Sequence, residues 1–361
     1  MNDIYNNQEI LKRSLFLKGE NRALGVNPRF PANADEKGSI LILSLWILAL
    51  LTLMASSISF YATLQMKVVR HHMNHLQGRY LAQAGIFWTM NLLSKIDKEA
   101  YQSLSQKWSS NPEAFQERKL GHGSFSVSYI FLDSQLGSQI RFGIMDEERK
   151  ININTAPKDI LLELPEATEE IVDAILDWRD KNTSAERRGV ENEYYQDLKI
   201  PYPSKDSPIE QMEELLLVRE VTPELLKKWL PLLTLYGDGR VNINTASGEV
   251  LQMIGLDEAL AEKIIEFRQG PDDEIGTEDD GVFENEGEIA RILFESEPLN
   301  ANDISQIINL VSKGVLGVKS KHFTVEAQGI SSHSSNPGRN IVAVIEHVEA
   351  DEFKIKNWLE K

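Results

Sequence analysis

No cysteine occurs among the 361 residues. That excludes a disulfide framework, thiolate metal ligation and thiol catalysis, while leaving the redox compartment open. Basic charge is scarce as well: 38 Lys+Arg stand against 55 Asp+Glu, a formal net charge of −17. Broad binding to a nucleic-acid backbone wants a basic face, so this balance argues against it and fits a soluble or cation-binding surface. Proline is missing from residues 39–111, and no charge falls between Lys37 and Lys67. Apolar residues make up 42% of the chain, too many for a wholly disordered protein and enough for one large domain or two smaller ones.

The uncharged run, Gly38–Met66, reads GSILILSLWILALLTLMASSISFYATLQM. Crossing about 30 Å of hydrocarbon takes roughly 20 apolar residues in a helix, and a secretory signal has an apolar region of only about 7–15. A membrane-spanning helix over 39–66 is therefore expected. Lys18, Arg22, Arg29 and Lys37 precede it and Lys67, Arg70 and Arg79 follow, which leaves orientation open. With no proline to stop it, the helix is expected to continue to about Leu93. Leu76, Tyr80, Ala84 and Trp88 recur every four residues, with Phe87 and Leu92 beside them, as an amphipathic stripe for a globular body.

Beyond the helix, Gly121–Ser134 and Gln139–Asp146 are rich in β-branched and aromatic residues and read as a hairpin turning at Gly137-Ser138. His322–Ile330 and Asn340–Glu349 read as a second. The roughly 170 residues between the two hairpins read as almost wholly helical, too long for a strand connection. An antiparallel sheet packed on the N-terminal helix, with a helical domain inserted in it, accounts for this order. The insert repeats itself: Ile151–Ala156 (ININTA) recurs as Val241–Ala246 (VNINTA), and Ala174–Asp180 (AILDWRD) as Lys263–Gln269 (KIIEFRQ). Thr155 and Thr245 are placed to cap helices, and Thr222-Pro223 starts another in the same style. The asparagines and threonines read as turn-formers rather than catalysts.

Glu36-Lys37-Gly38, followed by Ser39 and the apolar helix, resembles the class III signal of type IV pilins and type II secretion pseudopilins. The resemblance implies that prepilin peptidase cuts between Gly38 and Ser39 and that Ser39 is methylated. The leader, residues 1–38, is long for the family. The fifth mature position, usually glutamate, is Leu43, a departure typical of the K-type minor pseudopilin. Asp146–Ala246, with its NTAP turn, WRD, acid-Tyr-Tyr, EELLLV, TPEL and LTLYG-GRVNINTA in that order, resembles the general secretion pathway protein K family.

The resemblance implies an α+β fold, a pilin-like long N-terminal helix packed on an antiparallel sheet, with a large inserted all-α domain of helical-hairpin repeats. The expected divisions are 1–38 leader, 39–66 transmembrane, 67–150 first part of the pilin-like domain, 151–316 inserted helical domain, and 317–361 last strands and C-terminal tail. It further implies a non-enzymatic subunit at the tip of the type II secretion pseudopilus, starting its assembly and supporting protein export across the outer membrane. Expected partners are the I- and J-type minor pseudopilins, the major pseudopilin, prepilin peptidase, the inner-membrane assembly platform and membrane lipid. The expected location is the bacterial inner membrane, single-pass, with the C-terminal body in the periplasm.

Six acids crowd residues 272–280, in a Gly-Pro loop. Such crowding is costly unless a cation sits among the carboxylates, and calcium takes six to eight oxygen ligands. The loop also resembles the calcium loop of pseudopilins. Asp272, Asp279 and Asp280 are the first expected ligands, with Asp273 or Thr277 next. A second, weaker site follows from the family resemblance: Asp180 with Glu191 and Glu193, diluted by Lys181, Arg187 and Arg188. His71 and His75 share a helix face without a third zinc ligand in the sequence nearby. The alternative function is a membrane-anchored helix-hairpin-helix DNA-binding protein of DNA uptake, since the repeats resemble such modules. The hairpin positions, Leu164–Ile171 and Ile254–Glu262, carry acids where a phosphate would sit, and only the second holds a glycine, Gly255.

Overall fold

The computed structural model describes residues 36–96, 100–133, 137–182, 184–296, 298–332, 338–349 and 352–361. Residues 1–35, most of the expected leader, lie outside them. The chain divides into two units, Met1–Met66 and Lys67–Lys361. Helix α1 runs from Glu36 to Ile96. In the first unit its apolar side chains have little cover from the described residues: Ile40, Trp46 and Phe60 are 69%, 72% and 73% exposed. A helix greasy all round and unburied is what a bilayer solvates.

The second unit has two cores. Strands β1 (Arg118–Leu120) and β2 (Gly123–Val127) follow the short helix α2 (Pro112–Phe115). β3 (Tyr129–Asp133) and β4 (Gly137–Arg141) form a separate two-stranded hairpin, and β5 (Met145–Asp146) rejoins the main sheet. Far along the chain, β10 (His322–Ser331), β11 (Arg339–Glu349) and β12 (Glu352–Glu360) complete that sheet, in the order β1-β2-β10-β11-β12 with β5 also on β10. All its pairings are antiparallel.

Along β10 the residues facing inward shrink from Phe323 through Val325 and Ala327 to Gly329. Helix α1 comes closest where they are smallest. A Cβ on Gly329 would lie 2.0 Å from the Gly78 carbonyl oxygen, and one on Gly85 would lie 3.1 Å from the Ala327 Cβ. The buried stripe is therefore Gly78, Leu81, Ala82, Gly85, Ile86, Thr89 and Leu93. The stripe expected from the sequence is displaced: Tyr80 and Phe87 are 62% and 57% exposed. Bulk pointed to the wrong face, because close approach of a helix to a sheet selects small residues at the contact.

The second core holds the repeats. Each begins with a two-residue strand, β6 (Ile151–Asn152) or β8 (Val241–Asn242), and closes with another that pairs with it in parallel. The closing strands are β7 (Leu233–Thr234) and β9 (Leu316–Gly317). The first repeat contains α3 (Lys158–Leu162), α4 (Glu169–Arg179), α5 (Asn192–Gln196), a 3-10 helix (Met212–Leu217) and α6 (Pro223–Trp229). The second contains α7 (Gly248–Met253), α8 (Glu258–Gln269), α9 (Ile289–Ser296) and α10 (Ala301–Ser312), with 3-10 turns at Gly270–Asp272 and Glu286–Glu288. Trp178, Tyr195, Trp229 and Phe283 are among the buried side chains.

Three further expectations are corrected. Gly121–Ser134 is two strands in different sheets rather than one, because β2 goes to β10 while β3 turns away to β4. Residues 352–360, read as part of a tail, form strand β12; its alternation is weak because it lies at a sheet edge, where both faces see solvent. The insert is not wholly helical, since the parallel strand pairs join positions about 80 residues apart and are too short to announce themselves by pattern.

Candidate functional site: an apolar helix, a buried acidic hub and two acidic loops

Gly38 and Ser39 both fall in the first turns of α1, and Ser39 is exposed. Leu43, four residues further, is 61% exposed on the same apolar segment.

The two repeat turns are built alike. Asn152 accepts from the Asn154 N–H (2.8 Å) and donates to the Tyr236 and Gly237 carbonyls (3.1 and 2.8 Å). Asn154 exchanges two hydrogen bonds with the Ile209 backbone. In the second copy Asn242 accepts from the Asn244 N–H (3.0 Å), and Asn244 exchanges two with the Phe283 backbone. The arginines of the WRD and FRQ segments reach back to these turns. Arg179 donates to the Ile153 and Ala156 carbonyls, and Arg268 to those of Ile243 and Ala246. Thr155 and Thr245 do not cap helices, contrary to the sequence reading. The Thr155 hydroxyl turns back to the Asn152 carbonyl, the Thr245 hydroxyl donates to Asp146 with the Asn242 carbonyl 3.4 Å away, and Ser247 caps α7 by accepting from Val250 N–H. Thr222 does cap α6, accepting from Leu225 N–H.

Between the two cores lies a hub that sequence reading missed, Asp146-Glu147-Glu148. Asp146 accepts from Thr245 Oγ1 (2.5 Å), Ser320 Oγ (2.7 Å) and Asn242 Nδ2 (3.3 Å). Glu147 accepts from Thr234 of β7 and Thr324 of β10, both at 2.6 Å, and is paired with Lys150 at 3.2 Å. Glu148 accepts from the His322 N–H at 3.0 Å, and its Oε1 lies 2.8 Å from His322 Nδ1. Three consecutive acids thus tie the sheet to the repeats.

Burial, with the Glu148 charge second, pushes the Asp146 carboxyl up to about 7. At Glu147 burial works upward too, but Lys150 and the two threonines outweigh it and hold the carboxyl below its usual value. In the unfolded chain Asp146 would titrate near 3.8. Between these values the folded protein keeps a proton that the unfolded chain releases. The stability from Asp146 is therefore complete below about 3.8 and is lost as pH rises to about 7. Melting the full chain in detergent with chelator should show a downward slope of Tm across that window, and Asp146→Asn should flatten it. An unchanged slope in the variant would remove Asp146 as its source.

The loop at 272–280 brings some of its acids together. Asp280 accepts from the Gly276 and Thr277 N–H groups (2.8 and 3.1 Å), and the Thr277 hydroxyl contacts Asp279 and Asp280 (2.7 and 3.0 Å). Hydrogen bonding from Thr277 leads, with a smaller contribution from Asp272, in holding the Asp279 carboxyl below its usual range. Asp280 is pushed up by burial. Asp273 sits exposed with φ of 58°. Asp280 is thus committed to closing its own loop, while Asp272 accepts from the Glu274 N–H (2.9 Å) through one of its two oxygens.

At the second position the expected acids differ in burial. Glu193 is exposed at the start of α5. Asp177 of α4 lies close enough to Glu191 for its charge to act there, and Asp177 Oδ2 and Glu191 Oε1 are both buried without a hydrogen-bond partner. Burial pushes Asp177 up to about 6, with Asp180, Glu186 and Asp173 contributing. Glu191 is raised by burial and then by Asp177, Asp180 and Asp206. A Cβ on Gly189 would lie 1.8 Å from Asp177 Oδ2, so the carboxylate is seated against bare backbone. Two orphaned carboxylate oxygens with a third acid nearby suit a hard cation. The readable signal was Asp173 and Asp177, acids one turn apart in an otherwise apolar helix stretch. Among the described residues no three His, Asp or Glu side chains already converge as a cage.

His71 and His75 stack edge to face at 4.4 Å, and Arg339 Nε donates to His75 Nδ1 at 2.9 Å, so these histidines pack against a cation. At the hairpin resembling a DNA module, Thr168 caps α4, and Glu169 and Glu170 pair with Arg188. Acids and a committed arginine occupy the place a phosphate would need.

Residues 159–238 match the family model of type II secretion system protein K, and residues 37–87 match that of the PilX N-terminal segment. The chain is 27% identical over 257 residues to type II secretion system protein K of Aeromonas hydrophila, covering 63% of this chain and 75% of that one. Its fold matches a chain in the crystal structure of the GspK-GspI-GspJ complex from the type 2 secretion system of enterotoxigenic Escherichia coli. The TM-score is 0.60 at 18% identity, over 81% of this chain and 99% of that one. A pilin-like N-terminal helix, a sheet laid on it and repeats matching protein K over residues 159–238 liken the chain to the minor pseudopilins of the type II secretion system protein K family.

Proposed function

We propose that the protein sits at the tip of the type II secretion pseudopilus, starts its assembly with the I- and J-type minor pseudopilins, and thereby supports protein export. The protein K match over 159–238 carries this reading. Leu43 supports the tip position: it stands where a subunit joining below a neighbour would need a glutamate for that neighbour's terminal amine. The body faces the periplasm and α1 is held in the inner membrane. There it meets lipid, the assembly platform and, further down the fibre, the major pseudopilin.

Prepilin peptidase cuts between Gly38 and Ser39. Mass spectrometry of the mature protein should give a peptide starting at methylated Ser39, present only when the peptidase is co-expressed. An intact leader in both samples would sink the processing step. Co-purification of the processed chain with I- and J-type subunits tests the tip complex, and its absence from detergent extracts would count against it.

Calcium, when bound, supplies positive charge that rigidifies the repeats. Asp177, Glu191 and Asp180 would hold one ion, and Asp272 and Asp279 another. Because Asp177 must lose its proton to bind, stabilisation by calcium should grow as pH rises through about 6. At a hundredfold excess over Kd one site adds about 2.7 kcal/mol. The check is Tm with and without calcium at pH 5 and pH 8, in the parent and in Asp177→Asn. No calcium effect at pH 8 would eliminate the ion.

A further inference from the structure

We propose that a cavity between the β3–β4 hairpin and helices α7 and α8 binds a singly charged carboxylate carrying an apolar body. Its volume is ≈ 610 Å³, and its walls include Phe131, Leu132, Ile265, Ser247, Arg149 and Arg268. Two guanidinium groups line one cavity in a protein whose net charge is −17. Neither is neutralised by an ion pair among the described residues. Arg149 has no hydrogen bond there either, only the Phe131 ring 5.2 Å away. Arg268 is 3% exposed; it spends Nη1 on the Ile243 and Ala246 carbonyls, while its Nε is buried without a partner. A third arginine, Arg141, stacks on the same Phe131 ring at 3.8 Å and has a buried, unpartnered Nη1.

Leaving buried donors unpaired is costly, and an arginine fork matches a carboxylate in geometry as well as charge. Burial lowers both cavity arginines from their usual range, Arg268 to about 9, and their neighbours of like charge lower them further: Arg141 for Arg149, and Arg149 for Arg268. Asp146 and Glu147 offset part of the Arg149 charge and Asp280 part of that of Arg268. An anion in the cavity would relieve the remainder. The aromatic and aliphatic walls favour an apolar body behind the charged head. Glu249, Glu262 and Glu266 also line the cavity, and all three are exposed. They disfavour polyphosphates, so the site selects a single negative charge.

The carboxylate could belong to a free small acid or to a polypeptide C-terminus, and the experiment separates the two. The full chain in dodecyl maltoside would be titrated with 4-fluorobenzoate, followed by fluorine NMR. Saturable binding is expected, with 4-fluorobenzyl alcohol failing to compete. Arg149→Gln should weaken binding by about tenfold or more, the loss of one charge-assisted hydrogen bond. Leu132→Trp, at a half-exposed wall position, should weaken it similarly by filling the space while keeping both arginines. N-acetylphenylalanine binding tighter than 4-fluorobenzoate, with its amide inactive, would assign the carboxylate to a polypeptide end; the reverse order would assign it to a free acid. Both orders support the site. No saturable binding up to about 10 mM, or equal binding by parent and both variants, would overturn it.

Discussion

Gly329→Ala should lower the Tm of the full chain in detergent by about 10 °C, near the upper end for a single methyl group. The added Cβ would meet the Gly78 carbonyl oxygen at 2.0 Å and the Ala82 nitrogen at 2.4 Å, both backbone atoms of α1. No side chain can rotate away to make room. The helix must lift from the sheet and loosen Leu81, Ala82 and Ile86, which are at most 5% exposed. The expected cost is about 3–5 kcal/mol. Gly121→Ala is the control: its φ is 56° and nothing lies within 4 Å of the added carbon. It should cost only about 1 kcal/mol, from backbone strain. Equal melting shifts in the two variants would mean that the close helix–sheet contact does not limit stability.

Asn242→Ala should be the second severe substitution, costing about 4 kcal/mol, and clearly more than Asn152→Ala at about 2 kcal/mol. The two asparagines occupy equivalent turn positions and both hold the N–H two residues on. Their surroundings differ. Asn152 donates to two carbonyls of the half-exposed Tyr236-Gly237 segment, where water can replace it. Asn242 is fully buried; its amide donates to the Gln102 carbonyl (3.0 Å) and Ser320 Oγ (2.8 Å) and lies 3.3 Å from Asp146 Oδ2, joining three segments at the hub. Its loss strands partners that water cannot reach. Urea unfolding monitored by tryptophan fluorescence would rank the two variants; equal costs would mean that the hub adds nothing to the turn.

These two substitutions also bear on assembly. Gly329 sets how α1 lies on the sheet, and Asn242 joins the sheet to the repeats. A subunit softened at either place would present a less well-defined surface to its neighbours. Under the proposed function, co-purification with the I- and J-type subunits should therefore drop in both variants at temperatures where each is still folded.

The parts legible in the sequence share a cause: their signal is local. The apolar run of 38–66 declares itself because a bilayer demands consecutive residues, and the β10–β11 pairing because β-branched alternation survives in each strand. The repeat was visible because each ININTA turn and its arginine helix reuse one set of hydrogen bonds, Asn to the N–H two residues on and Arg to the turn carbonyls. Tertiary structure alone decided the rest. Which face of α1 is buried depended on Gly329 and Ala327, more than 240 residues from Gly78 and Gly85, the helix positions that they admit. The partners of Asp146 lie 96, 99 and 174 residues away, and the hub exists only once two cores meet across it. Asp177 became a candidate ligand, and Glu193 did not, because burial rather than spacing orphans an oxygen. Sequence alone determined the anchor, the pilin-like order of elements and the repeats, through chemistry carried by neighbouring residues. Closeness, burial and the pairing of distant charges are properties of the packed chain, and these decided where the sheet, the hub and the orphaned carboxylate oxygens came together.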